Sequence, residues 1–161
     1  MHSEKVVRRV FTISEEPRER LYECIIELAA GQAATAYLIV RSTIQLTEQA
    51  RSVLLKLRAF EIAVKTVSQW PGTALSGGAT AEMHQYRVDR ELVQVLRTAA
   101  EGLYEWQQPE LPEDLGFVRH DGSVSLASIA HEQDSYCELS QTEKEALLKR
   151  CPDLALVDTT P

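Results

Sequence analysis

The densest group of chemically competent side chains lies near the end of the sequence and contains two histidines and three carboxylates. The group is His120, Asp121, His131, Glu132 and Asp134. Imidazole and carboxylate groups bind divalent metals and act as general acids and bases. One hypothesis is therefore a small metal-dependent or acid-base hydrolase. Its active site would contain His84, His120, His131 and Glu132. A strand of about eight residues, however, would hold His120 and His131 roughly 25 Å apart, which argues against one shared site.

The three cysteines do not form a recognisable motif. Cys24, Cys137 and Cys151 are an odd number at irregular spacing, which predicts neither a disulfide framework nor a metal knuckle. Cys24 and Cys137 fall in apolar patterns typical of small buried side chains. Phosphate-binding glycine patterns and the HExxH and GxSxG motifs are also missing from the sequence. We therefore expect no cofactor and no metal, and favour a non-enzymatic function over an enzyme.

The negative charge of the chain is concentrated in its C-terminal third. The 161 residues carry 17 basic and 24 acidic side chains, a net charge of −7. Residues 1–100 have 13 basic and 11 acidic side chains, whereas residues 101–161 have 4 and 13. An acidic surface repels nucleic-acid phosphates and attracts basic proteins. The pattern predicts a basic protein partner and no nucleic acid, or else a surface whose charge only keeps the domain soluble.

Both tryptophans lie beside proline-containing loops, where they would anchor an interface or cover the core. The two tryptophans and four carboxylates that are expected in loops form the candidate partner-binding set. The set is Trp70, Trp106, Asp114, Asp121, Glu132 and Asp134. The resulting hypothesis is an immunity- or inhibitor-like binding protein that occupies a basic partner, such as a toxin or effector. A homodimeric scaffold that buries the two tryptophans across a twofold axis is a further alternative.

The elements that would position these residues follow from apolar periodicity. Helices are predicted to begin near Glu15, Thr47, Asp89 and Ser140, the last with a capping box completed by Glu143. Strands are predicted at residues 6–13, 36–41, 62–67, 81–88, 115–119, 123–129 and 135–139. Asp121-Gly122 between two apolar runs predicts a β-hairpin. Helices interspersed with hairpins favour an α+β fold with a mixed or largely antiparallel sheet and about four helices.

The predicted domain organisation is a single unit over residues 1–161. Its ordered core would span about 6–151, and residues 152–161 would form a loosely held tail. A chain with 44% hydrophobic residues and this length can bury one sizeable core. No apolar run is long enough for a membrane span, and the first residues lack the apolar segment of a secretory signal. We therefore expect a cytoplasmic protein with no membrane association.

Four short segments carry a resemblance to a known family. They are Trp70-Pro71-Gly72-Thr73, Pro112-Glu113-Asp114-Leu115, Arg119-His120-Asp121-Gly122 and Ala130-His131-Glu132. Their combination, within about residues 35 to 150, resembles a family of small bacterial proteins without an established activity. The resemblance implies a bacterial, cytoplasmic setting and carries over no catalytic residue.

Overall fold

An eight-stranded antiparallel sheet forms the centre of the fold in the computed structural model, which describes residues 4–161. In chain order the strands are β1 (Arg9–Ile13), β2 (Thr35–Val40), β3 (Glu61–Val67), β4 (Gln69–Trp70), β5 (Thr73–Ala74), β6 (Ala81–Arg87), β7 (Glu113–Val118), β8 (Val124–Ile129), β9 (Asp134–Leu139) and β10 (Leu156–Asp158). The order across the large sheet is β10-β1-β9-β8-β7-β2-β6-β3, and β4 and β5 pair separately. The predicted α+β class is confirmed.

The helices bury apolar side chains against one face of this sheet. They are α1 (Arg20–Gln32), α2 (Glu48–Leu57), α3 (Arg90–Ala99) and α4 (Gln141–Arg150). Ile25 of α1 and Leu92 of α3 share the main core with Leu38, Phe117 and Leu126 of the central strands. The sheet thus has a helix face, which carries most of the core, and an opposite face.

Local sequence signals place most helix starts and the principal hairpin correctly. The side chains of Thr47, Asp89 and Ser140 each accept a hydrogen bond from a backbone N–H in the first turn of their helix. Ser140 and Glu143 form the predicted capping box. Strands β7 and β8 form the antiparallel hairpin predicted at Asp121-Gly122. These predictions are confirmed.

The first helix begins five residues later than predicted. The predicted start at Glu15 is wrong because residues 14–19 bind another part of the chain instead. The Glu16 carboxylate accepts from the backbone N–H of Tyr104 at 3.0 Å, and the Pro17 carbonyl accepts from Leu103 at 3.1 Å. These tertiary contacts keep the segment out of the helix, so α1 starts only at Arg20.

The C-terminal tail also differs from the expectation. Residues 152–161, expected to be loosely held, contain β10, which pairs with β1 in the register Phe11↔Asp158. Arg9 contacts Asp158 at 2.6 Å, and the N–H of Thr159 donates to the Val10 carbonyl at 2.8 Å. Backbone pairing at the edge of the sheet therefore orders the tail.

A disulfide joins Cys24 of α1 to Cys151 at the end of α4, across 127 positions of sequence. The expectation that the cysteines form no disulfide is therefore wrong. The odd number of cysteines was misleading because one of the three, Cys137, is a free thiol buried in the core. The other two are left to pair with each other. Burial raises the pKa of the Cys137 thiol to about 12, which disfavours the reactive thiolate form at neutral pH.

The opposite face of the sheet is covered in part by the small β4-β5 hairpin. Trp70 pairs with Thr73 across a turn in which Gly72 has a φ of 85°. Trp70 packs with Tyr37, Ile39 and Ala81 in a second, smaller core. The Trp-Pro-Gly-Thr turn therefore seats an indole on the sheet rather than presenting it to solvent.

Candidate protein-binding surface

Two short 3₁₀ helices meet at the end of the sheet where β8 stops and β9 begins. They are turn A (Leu103–Glu105) and turn B (Ala130–Glu132), which contact each other. Six carboxylate side chains belong to these turns or to the segments beside them. This group, called here the acidic end, is Glu16, Glu101, Glu105, Glu110, Glu132 and Asp134.

The negative charge of the acidic end is only partly compensated. Arg18 contacts Glu16 at 3.2 Å and Glu105 at 3.3 Å. Within residues 4–161 no other Arg or Lys lies at ion-pair distance from the six carboxylates. Glu101, Glu105, Glu110 and Glu132 are exposed. A diffusing cation would therefore meet a net negative surface here.

A groove of about 400 Å³ opens beside turn A. It is lined by Gln49, Tyr104, Glu105, Gln107, Gln108, Glu110 and Leu111. The wall near Gln108 is held in place, because this amide accepts from the Arg41 N–H at 2.7 Å and donates to the Ile44 carbonyl at 2.9 Å. The groove thus offers carboxylate and amide oxygens, which are acceptors for ammonium and guanidinium groups.

Asp114 positions turn B from inside the protein. Its side chain has no exposed surface, and its backbone has a φ of 56°, which is uncommon outside glycine. One carboxylate oxygen accepts from the Ala130 N–H at 3.0 Å and the other from Trp70 Nε1 at 2.9 Å. Burial raises the pKa of Asp114, and these two hydrogen bonds oppose the rise. Asp114 therefore couples the β4-β5 hairpin to the first residue of turn B.

Trp106 and Tyr104 position turn A in a similar way. Trp106 is fully buried and donates from Nε1 to the Tyr22 hydroxyl at 3.0 Å. That hydroxyl in turn donates to the Leu96 carbonyl of α3. The Tyr104 hydroxyl lies 2.8 Å from the Ser135 hydroxyl of β9. Buried hydrogen bonds thus fix turn A to α1, α3 and the sheet.

Asp121 lies at the other end of β8, on the tip of the β7-β8 hairpin. It contacts Arg8 at 2.6 Å, and Arg8 also contacts Glu143 at 2.9 Å. Glu143 further pairs with the buried Arg119 at 3.0 Å. Hydrogen bonds from Ser123 and Arg8 hold the pKa of Asp121 well below its ordinary value. Asp121 therefore belongs to a charge network that is separated from the acidic end by the length of β8.

The six residues of the sequence-based binding set thus divide into three groups. Glu132 and Asp134 lie on the acidic end. Trp70, Trp106 and Asp114 are buried and position the two turns. The tryptophans therefore take the core-covering alternative, and the expected exposed loop position of Asp114 is corrected. Because both tryptophans are buried within one chain, neither can be shared across a twofold axis. The remaining member, Asp121, is remote from both groups.

The histidines of the hydrolase hypothesis are dispersed. His84 lies on the helix face of β6, where Nδ1 is 2.8 Å from the Glu61 carboxylate. His120 is exposed in the β7-β8 turn, and His131 is exposed in turn B, 3.7 Å from Glu132. Within residues 4–161 no group of three or more His, Cys, Asp or Glu side chains could hold a metal ion. The structure does not bring the proposed catalytic set together.

Sequence reasoning missed the larger part of the acidic end. Glu101, Glu105 and Glu110 belong to the acidic third, so the charge excess signalled them only collectively. Glu16 gave no signal, because its place here depends on its contact with the Tyr104 backbone, 88 positions away.

No protein-family model, no curated protein and no solved structure matches this chain. Among residues 4–161 no helix has both the length and the apolar character needed to cross a membrane.

Proposed function

We propose that this chain is a non-enzymatic protein-binding domain that receives a basic partner at its acidic end, in the manner of an immunity or inhibitor protein. The observation that carries the proposal is the gathering of six carboxylates around turns A and B with Arg18 as their only Arg or Lys ion-pair partner within residues 4–161. Charge complementarity of this kind governs association rate and selects against acidic partners.

The rigidity of the acidic end supports this function. Turn A is held by the Trp106 and Tyr104 hydrogen bonds, and turn B by the Asp114 hydrogen bond to Ala130. A surface that is already ordered loses little conformational entropy when a partner binds. The buried polar residues would then serve recognition indirectly, by holding exposed carboxylates at fixed positions.

The chemistry of the groove indicates which groups of the partner would dock there. Glu105 and Glu110 line the groove together with Gln107 and Gln49. A guanidinium donates several N–H groups in one plane and pairs well with carboxylate and amide oxygens. We expect an arginine of the partner in the groove, with further basic side chains near Glu132 and Asp134.

The cellular setting stays a prediction. The bacterial setting is what the family resemblance implies, and the cytoplasmic placement and a toxin or effector as partner are predictions from the sequence. The Cys24–Cys151 disulfide weighs against a reducing compartment, because stable disulfides persist mainly in oxidising surroundings. The basic partner is therefore also to be sought outside the cytoplasm.

A direct test uses two charge-reversal variants with the same net charge. One carries Glu105→Lys, Glu110→Lys and Glu132→Lys on the acidic end. The matched control carries Glu82→Lys, Glu145→Lys and Asp153→Lys, three exposed carboxylates elsewhere. The probes are a labelled Arg-rich peptide and its citrulline counterpart, with affinity read by fluorescence anisotropy at two salt concentrations.

We expect the acidic-end variant to lose about tenfold more affinity for the Arg-rich peptide than the control variant does. The citrulline peptide should bind neither variant nor the unmodified protein. Equal losses in both variants would mean that only net charge attracts the peptide, and the proposed surface would then be wrong.

A further inference from the structure

The disulfide lies in a groove of its own, away from the acidic end. The groove has a volume of about 410 Å³. It is lined by Arg20, Leu21, Cys24, Lys149, Arg150, Cys151, Pro152 and Asp153. Three of these eight side chains are cationic and one is anionic, so the cavity beside the S–S bond is positively charged. This sign contrasts with the surplus of acidic groups in the C-terminal third.

The two cysteines of the disulfide differ in exposure. Cys24 is partly exposed and packs at the rim of the main core. Cys151 is 1% exposed and caps the C-terminal end of α4. Exchange requires a thiolate to approach one sulfur in line with the S–S bond. Both cysteines line the groove, and the more exposed Cys24 is the one that a nucleophile is expected to reach first.

The cations around the disulfide are available to a ligand. Arg150 pairs with Glu27 at 3.1 Å and is partly neutralised. Within the described residues, Arg20 and Lys149 make no ion pair. Both side chains are exposed. An anionic group near Cys24 would thus meet two uncompensated cations, with Asp153 as the only opposing charge in the lining.

We propose that this groove is a thiol–disulfide exchange site for anionic low-molecular-weight thiols of the glutathione class. The thiolate of the small molecule attacks Sγ of Cys24, a new S–S bond forms between them, and the Cys24–Cys151 bond breaks. Cys151 leaves as a thiolate, which Lys149 and Arg150 stabilise and which then takes a proton from water. A second thiol resolves the adduct and releases the oxidised small-molecule disulfide together with reduced Cys24.

The experiment compares three two-carbon thiols that differ in charge. They are 2-mercaptoethanesulfonate (anionic), 2-mercaptoethanol (neutral) and cysteamine (cationic). The rate of disulfide opening in the folded protein is followed by acid quench and mass spectrometry, and each rate is divided by that of the same thiol with a short peptide disulfide. This ratio removes the intrinsic reactivity of each thiol. Peptide mapping identifies the cysteine that carries the adduct.

We expect the anionic thiol to react about tenfold faster than the cationic one at low ionic strength, with the adduct on Cys24. The Arg20→Ala/Lys149→Ala variant should lose this preference, whereas Arg51→Ala/Lys56→Ala on α2 should keep it. Rates that are independent of thiol charge, or an adduct on Cys151, would overturn the proposal. So would rates independent of thiol concentration, because opening would then follow unfolding.

Discussion

The ring of Tyr37 on β2 occupies the space into which a side chain on Gly116 of β7 would project. The two residues are paired neighbours in the sheet, and a Cβ on Gly116 would lie 2.2 Å from Cζ and Oη of Tyr37. A tyrosine thus covers the glycine on the face that also carries the β4-β5 hairpin.

Gly116→Ala should therefore destabilise the protein. The added methyl group must displace the Tyr37 ring from its buried site, and overpacking of this kind costs about 1–3 kcal/mol. Urea unfolding gives the free energy of unfolding. In a Tyr37→Ala background the same substitution should cost much less, and an undiminished cost there would contradict the steric explanation.

Tyr37→Phe should be close to neutral or stabilising. The Tyr37 hydroxyl is buried and has no hydrogen-bond partner within residues 4–161, and burial raises the pKa of this tyrosine. The matched substitution Tyr104→Phe removes the contact with Ser135 and should cost about 1 kcal/mol. If Tyr37→Phe lowered the free energy of unfolding more than Tyr104→Phe, the Tyr37 hydroxyl would have to form a hydrogen bond in solution.

Trp70→Phe should destabilise more than Trp106→Phe. The first removes the donor to one Asp114 oxygen and leaves that buried carboxylate without it, a loss of about 1–3 kcal/mol. The second removes a donor to Tyr22, whose hydroxyl keeps its bond to Leu96. Both substitutions shrink a buried indole, and the free energies of unfolding are compared by urea titration. A reversed order would contradict the positioning role of Asp114.

Removal of the disulfide should lower stability strongly. Cys24 and Cys151 are 127 positions apart, and closing a loop of this size stabilises the folded state by about 4–5 kcal/mol in the chain-entropy description. Cys24→Ser/Cys151→Ser should therefore unfold at lower urea concentration than the oxidised protein and match the reduced wild type. Unchanged stability in both samples would show that the bond is absent from the folded protein in solution.

The hydrogen bonds that Asp121 accepts from Ser123, together with its contact with Arg8, should make stability depend on pH in the acid range. The pKa of Asp121 is held below its ordinary value of 3.8, so its contribution is fully present above that value and disappears as pH falls through the lower, folded-state pKa. Asp121→Asn should thus be less stable than wild type at neutral pH and approach it in strong acid. A stability difference that stays constant from neutral to acid pH would exclude a role for the carboxylate charge.

Local chemistry explains which parts of the fold were predictable. The Ser140–Glu143 capping box and the Asp121-Gly122 turn depend on residues that are adjacent in sequence, so both were found. The Cys24–Cys151 bond depends on how α4 packs against α1, which no local pattern encodes. For the acidic end, charge composition identified the relevant third of the chain, but tertiary contacts decided which carboxylates gather and that Trp106 lies inside.

The strand order has a consequence for how the chain folds during synthesis. Strand β1 lies between β9 and β10, so both of its partners leave the ribosome long after β1 itself. Contacts between such distant segments form slowly because a long loop must close first. Strands β2, β3 and β6 can assemble earlier, whereas residues 9–13 must wait without partners. A nascent chain halted before residue 134 could pair five of the eight strands, with β8 as a bare edge, and unpaired edges of this kind make folding intermediates prone to aggregation.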